Sequence, residues 1–213
     1  DGTSRLSKDS RWGNFWSASA MWRMIDEPFM QGLKKTFTDM KLRASYGANG
    51  NLPGNYAYQG VYDYTLAYQG ASGSYEKSLQ NDNLKWERNY NMNIGLDFTL
   101  FDRVSVTGEY YSRQTKDLLY SMPLSNSSGF TAYTTNIDHI SNKGFELEFN
   151  TTNIKTKDFT WTTNLSFAHN KNVIKKINDK ITFTTAANRT TMYIRKVGGP
   201  FYEFYLKEYA GVD

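Results

Sequence analysis

The amino-acid sequence predicts an all-β chain, forming the wall of an antiparallel β-barrel that crosses a membrane. Three observations lead there: strict polar–apolar alternation, alternating segments too long for ordinary strands, and connections that alternate between short and long. The clearest segment is NYNMNIGLDFTLF, Asn89 to Phe101. Its even positions are Tyr90, Met92, Ile94, Leu96, Phe98 and Leu100; its odd positions begin Asn89, Asn91, Asn93, Gly95, Asp97, Thr99. Strand side chains point to opposite faces at every second residue, so this segment has one apolar and one small polar face. The pattern extends back through Trp86 and Leu84, well past the about five or six residues of a mean strand. A soluble sheet with one face in water explains the alternation but not the length. A membrane-crossing barrel strand takes about 9–11 residues, apolar outwards and polar inwards.

Other segments repeat the pattern. Trp12 to Ile25 sets Trp16, Ala18, Ala20, Trp22 and Met24 against Ser17, Ser19 and Arg23. Met40 to Asn49 sets Met40, Leu42, Ala44 and Tyr46 against Lys41, Arg43, Ser45 and Gly47. Val104 to Tyr120 sets Val104, Val106 and Tyr110 against Ser105, Thr107, Glu109 and Arg113, less cleanly at its far end. Gly144 to Thr151 sets Phe145, Leu147 and Phe149 against Gly144, Glu146, Glu148 and Asn150. Phe159 to Asn170 sets Phe159, Trp161, Leu165 and Phe167 against Thr160, Thr162, Asn164 and Ser166. Weaker candidates lie near Thr190 to Val197 and Phe201 to Tyr209. The expectation is roughly seven or eight strands and no helix.

The connections place these strands in a meander. Phe101-Asp102-Arg103 and Ile154 to Asp158 are short, whereas Gly50 to Asn83, Ser121 to Asp138 and Asn172 to Arg189 are long. Short and long in alternation put the long connections together at one end, as outer-membrane barrels do with short periplasmic turns and long outer loops. The intermediate link from Asp26 to Asp39 belongs at the short-turn end. The apolar face is then expected against lipid, and the Asn, Gly, Asp and Thr face against an aqueous interior.

Composition is compatible with this and excludes alternatives. The chain has 213 residues, 39% hydrophobic and 16% aromatic, with 16 Tyr, 13 Phe and 5 Trp. The mean hydropathy is −0.65, and no run approaches the ~20 apolar residues of a membrane helix. Barrel strands escape such a measure because polar interior residues dilute them. Aromatics suit both strands and the interfacial girdles of membrane barrels. The absence of cysteine rules out disulfide scaffolds and thiolate metal sites. A net charge of +4, spread along the chain, does not mark a nucleic-acid binder. The opening DGTSRLSKDS lacks the apolar stretch of a signal peptide, which leaves a mature chain or an internal piece of a longer one.

Several stretches, taken in order, resemble one family. They are RWGNFWSASAMWRM (Arg11 to Met24), MKLRASYGANGN (Met40 to Asn51), NIGLDFTLFDRVSVTGEYYSRQTKDLLY (Asn93 to Tyr120), PLSNSSGF (Pro123 to Phe130), ISNKGFELEF (Ile140 to Phe149) and FYEFYLKEYAGVD (Phe201 to Asp213). Each is loose alone; the succession, over nearly the whole chain, is similar to the C-terminal part of SusC/RagA-type TonB-dependent outer-membrane transporters. The resemblance implies a Gram-negative outer-membrane location and a barrel of about 22 strands with a plugged lumen. It implies import of glycans or peptides with a SusD-like surface lipoprotein, energised by the TonB complex through parts absent from this stretch. On that reading residues 1–213 are one segment of a receptor-like barrel domain, without the plug.

Catalytic, metal and phosphate chemistry finds little support. Glu146 and Glu148 share a strand face, roughly 7 Å apart along the strand, which invites an acid–base reading. A polar barrel interior accounts for them better, and no nucleophile, base and oxyanion set accompanies them. The chain is therefore expected not to be an enzyme and to need no cofactor. His139 and His169 lie far apart and outside metal-ligand spacing; His169 continues the register of Leu165 and Phe167 and reads as interfacial. GANGNLPG, Gly47 to Gly54, lacks the Lys-Ser/Thr ending of a phosphate loop and reads as a turn. The Asn-x-Ser/Thr matches at Asn126, Asn150, Asn164 and Asn188 are expected to be unmodified in a bacterial protein.

The loop NYAYQGVYDYTLAYQG, Asn55 to Gly70, carries Tyr56, Tyr58, Tyr62, Tyr64 and Tyr68. Tyrosine offers an apolar ring and a hydroxyl at low entropic cost. These residues are candidates for contact with a sugar, a peptide or a partner; the alternative is a loop that packs on itself or pairs as a hairpin. Two function classes remain at this point: a wall segment of an outer-membrane transporter, or a soluble β-rich binding module or surface adhesin.

Overall fold

The computed structural model describes residues 1–137, 139–176, 183–185, 192–206, 209 and 211. A single six-stranded antiparallel sheet dominates it, with its strands in chain order. They are β1 (Trp16–Arg23), β2 (Phe37–Asn51), β3 (Glu87–Leu100), β4 (Val104–Lys116), β5 (His139–Lys155) and β6 (Thr160–Lys176). These correspond to the clearly alternating segments of the sequence. β5 and β6 reach 17 residues each, about three times a mean strand.

Six strands make the described wall. The two weaker candidates hold the short strands Met192–Ile194 and Glu203–Phe204, which pair in a second sheet with Phe183–Thr185. The stretch between them meets β6 where Ile174 N donates to Gly199 O and Gly198 N donates to Ile174 O, each at 2.9 Å. Gly198, at φ 88°, begins a Gly-Gly-Pro break that ends the alternation. Positions 190–191 and 207–208 of those candidates, and most of the connection Asn172 to Arg189, lie outside the described residues, as does Asp138. Residues 172–176 still belong to β6. Among the described residues there is no α-helix; short 3₁₀ turns occur at Met24–Asp26, Pro28–Leu33 and Asn126–Ser128.

Register fixes which side chains share a face. One pairing row runs Ala44, Ile94, Tyr110, Phe145, His169, and the adjacent row runs Arg43, Gly95, Glu109, Glu146, Ala168. Two rows on, the face is again apolar: Trp22, Leu42, Leu96, Gly108, Leu147, Phe167. The apolar face is thus continuous across all six strands, and it stays open, with Leu165 at 62% exposure. Its apolar band also slides along the sheet. Trp22 and Phe167 share a row; from it the β1 band runs towards the long connections, to Trp16, while the β6 band runs the other way, to Trp161. Strands tilted across a flat apolar layer produce that slide.

The link 24–36, the β3–β4 turn and the β5–β6 turn all lie at one end of the meander, and the connections 52–86 and 117–138 lie at the other. The β3–β4 turn holds Phe101 at φ 52° and Asp102 at φ 55°, with Arg103 N donating to Leu100 O at 2.9 Å. Two consecutive left-handed residues make a type I′ turn, whose twist matches that of the strands.

The packed core sits at the long-connection end. Leu6, Leu84 and Trp86 bury one another, with Phe15, Ala57, Tyr58 and Leu119 around them. Residues 1–15 fold back over this end, through the pairing of Gly2 with Trp12 and a bond from Ser7 Oγ to Asp82 O at 2.7 Å. Asn81 Nδ2 donates to Thr134 O at 2.8 Å, and Asn136 Nδ2 donates to Lys85 O and Asp117 O at 3.0 and 2.7 Å. These amides tie the two long connections together. Since a buried amide without partners costs free energy, each bond fixes the path of the chain it meets.

Candidate functional site: the polar face and the long connections

Alternation brings the odd positions of β3 and their cross-strand partners onto one surface. Its charged centre is Arg43. The guanidinium binds Asp97 through two hydrogen bonds, Nε to Oδ2 at 2.7 Å and Nη2 to Oδ1 at 3.1 Å. It also reaches Glu109, Nη2 to Oε2 at 3.6 Å. The path lies over Gly95, where a Cβ would stand 2.8 Å from Arg43 Nη2. The missing side chain at Gly95 is what lets one arginine on β2 span β3 and serve carboxylates on both β3 and β4. Gly144 does similar work: a Cβ there would come within 2.5 Å of Tyr111 Oη, so the ring of its cross-strand partner lies across it.

Around this centre, amides bond laterally. Asn91 Nδ2 donates to Asn49 Oδ1 at 2.6 Å, and Arg113 Nε donates to Asn91 Oδ1 at 2.9 Å. Asn172 Nδ2 donates to Asn142 Oδ1 at 2.6 Å. Glu148 Oε1 accepts from Asn150 and Asn164 at 2.9 and 3.3 Å. Glu146 lies opposite Glu109 in the pairing. A hollow over this surface is lined by Asn91, Asn93, Glu109, Tyr111, Arg113 and Glu146. Such a surface offers hydrogen bonds and mixed charge to a hydrated solute, and it presents no activated nucleophile. Among the described residues no group of three or more His, Asp or Glu side chains is placed to hold a metal ion. His169 stacks on Phe145, centroids 5.7 Å apart, on the apolar face.

The tyrosine loop divides. Tyr56, Tyr62 and Tyr64 are exposed. Tyr58 is half-buried against the Leu6–Leu84–Trp86 core, and its hydroxyl accepts from Gln59 Nε2 at 2.9 Å. The loop also pairs with itself, Val61–Asp63 with Tyr75–Ser78 and Ala67–Tyr68 with Ala71–Ser72, so Tyr68 takes part through its backbone. Asp63 anchors this hairpin. It accepts from Thr65 Oγ1 at 2.6 Å and Thr65 N at 2.9 Å, and pairs with Lys77 at 3.0 Å. The Thr65 hydroxyl first, and then Lys77, hold its carboxyl down at about 2.

The stapling residues Asn81, Asn136 and Glu87 were not singled out by sequence reasoning. Glu87 accepts from Asn51, Asn89 and the Leu119 amide. A turn-like Asn in a long loop looks the same in sequence whether its amide faces water or a second loop.

This geometry has close counterparts. Residues 1–202 match the family model described as TonB dependent receptor-like, beta-barrel. The chain is 37% identical, over its whole length, to TonB-dependent receptor P3 of Formosa agariphila. It is 34% identical, over 97% of its length, to TonB-dependent receptor SusC of Bacteroides thetaiotaomicron. It spans 22% of each of those relatives. Among solved structures, the RagAB peptide importer in its closed-closed state superposes with a TM-score of 0.88 at 28% identity, over 100% of this chain and 23% of that one. The open-open state gives 0.80 at 27% identity, over 99% of this chain and 23% of that one. Six long antiparallel strands, an open apolar face, a hydrogen-bonded polar face and this agreement in sequence and structure lead to one assignment: the chain belongs to the TonB-dependent receptor-like β-barrel family.

Proposed function

We propose that this chain is a wall segment, within one barrel domain, of an outer-membrane active transporter of a Gram-negative bacterium. The apolar face meets lipid, the Arg43–Asp97–Glu109 face lines the aqueous lumen, and the long connections stand outside the cell. The observation that carries this reading is the sheet itself. One face is continuously apolar yet covered by no protein, which in water exposes far more contiguous apolar area than a soluble protein tolerates. A bilayer removes that cost. The same observation disfavours a soluble binding module or adhesin.

The cargo is an oligosaccharide or a peptide, in line with the SusC-named relative and the RagAB peptide importer. By the same likeness a SusD-like surface lipoprotein sits over the long connections, and TonB supplies energy through other parts of the receptor. Tyr56, Tyr62 and Tyr64 present exposed rings to cargo or partner; Tyr58 acts by holding the loop on the core, and Tyr68 belongs to the same candidate set. The test is a polarity-sensitive label at Ile94 and, separately, at Asn93 in the full-length receptor. Position 94 should report hydrocarbon and position 93 water; the reverse overturns the assignment of faces. Epitopes in 50–83 should be reached on intact cells, and those in 101–103 only after permeabilisation.

A further inference from the structure

Charge is segregated between the two faces of the wall. Pairing and alternation place the strand carboxylates Asp39, Glu87, Asp97, Glu109, Glu146 and Glu148 on the polar face. Among the described strand residues, the charged ones on the apolar face are all cationic: Arg88, Lys116, Lys143, Lys171 and Lys175. All five are exposed and lie at the long-connection end, beyond the Tyr110–Phe145–His169 row. They are also opposed in like pairs. Arg88 faces Lys116 and Lys143 faces Lys171 in the ladder. Directly opposite strand side chains stand about 4.5–5.5 Å apart at Cβ, and like charges there are destabilising.

Among the described residues no ion pair joins any of these five to a carboxylate. Lys116 Nζ lies over the Tyr90 ring at 5.2 Å, an attraction to the ring face that supplies no opposite charge. Lys116 and Lys175 both act electrostatically on the His139 ring between them. A cationic patch next to an apolar band, with no acid among the described strand residues of its face, is matched by a molecule that carries phosphate above acyl chains. Cations near such a headgroup layer are attracted strongly, and lysine stems lie along apolar surface while their heads reach outward.

We propose that this patch binds the phosphorylated headgroup of an outer-leaflet glycolipid, with the acyl chains on Tyr110, Phe145, Leu165 and Phe167. This rests on the placement of faces and ends given under Proposed function. Lys143 and Lys171 hold one phosphate between them, and Lys116 and Lys175 widen the contact. The bound lipid relieves the repulsion within the like-charged pairs and fixes the height of the wall in the membrane.

The experiment uses the full-length receptor in nanodiscs doped with lipid A, read by native mass spectrometry. The wild type should retain lipid A through delipidating detergent. The variant K143Q/K171Q/K175Q should retain at least about tenfold less, and K143R/K171R/K175R should keep it. Equal retention by the glutamine variant, equal retention of dephosphorylated lipid A, or full displacement by inorganic phosphate would each overturn the proposal. The K175C variant should react with an impermeant maleimide on intact cells. Reaction only after permeabilisation would overturn the orientation itself, and this proposal with it; correct labelling with unchanged retention would overturn this proposal alone.

Discussion

Trp86 and Trp161 show how differently two parts of this molecule use the same side chain. Trp86, at the long-connection end, is 7% exposed, packed edge-on against Phe15 and donating its indole N–H to Arg11 O. Trp161, in the wall, is 53% exposed. The first is buried by protein; the second, on the assignment of faces proposed above, meets lipid. At the long-connection end a conventional core of Leu6, Leu84 and Trp86 gains from leaving water. In a wall that faces lipid, as proposed, the backbone ladder and lateral bonds between polar side chains do the work, because apolar contacts between strands gain little where the surroundings are equally apolar. One chain therefore carries two kinds of stability, and they should respond differently to the same substitution.

The largest expected effect comes from the protein-filled core. Leu84→Ala in the full-length receptor should cost about 2–5 kcal/mol, since its side chain is enclosed and leaves a cavity. Denaturant unfolding in detergent, read at Trp86, measures this. A loss below about 0.5 kcal/mol would mean that this end is not an independently packed core.

The wall should fail by charge rather than by cavity. Ile94→Arg is expected to cost about 2–4 kcal/mol if the site lies near the bilayer midplane. Asn93→Arg, one residue away on the polar face, should stay within about 0.5 kcal/mol. Folding into vesicles at graded urea compares the two, and equal costs would erase the distinction between faces.

A smaller effect probes strain at the short-turn end. Phe101 holds a left-handed backbone without glycine or asparagine to ease it, at a cost of about 1–2 kcal/mol. Phe101→Asn should therefore stabilise the hairpin by up to about 1 kcal/mol, seen as a raised unfolding midpoint. An unchanged or lowered midpoint would show that the exposed ring does more for the wall than the turn loses.

The smallest effect is confined to the tyrosine hairpin. The Asp63 carboxyl is held below its usual 3.8, at about 2. A depressed carboxyl contributes order that is fully present above its unfolded value and lost as pH falls through its folded one. Protease access to residues 61–78 should therefore rise between about pH 4 and pH 2, with the wall unaffected. In Asp63→Asn that pH step should vanish; a step that survives the substitution would assign it to another group.

Much of the wall is legible in the sequence. Alternation is local, so the centres of the six wall strands, the two faces of each and the order of short and long connections can be read from Trp16 to Phe167 without tertiary information, whereas strand ends cannot: Gly47 to Asn51 reads as a turn yet continues β2. The chemistry of the polar face was legible as composition, Asn, Gly, Asp and Thr, but not as bonds. That Arg43 crosses Gly95 to meet Asp97 and Glu109 emerges from the folded sheet, because register relates residues some fifty positions apart. The folded chain alone showed that Tyr58 turns into a core while Tyr56 and Tyr64 stay outside. It alone showed that the described parts of the last two candidate strands pair in a second sheet and that Arg88, Lys116, Lys143 and Lys171 stand opposed on one face. Periodicity fixes the direction in which a side chain points; which partner it meets there depends on how distant strands and loops are brought together.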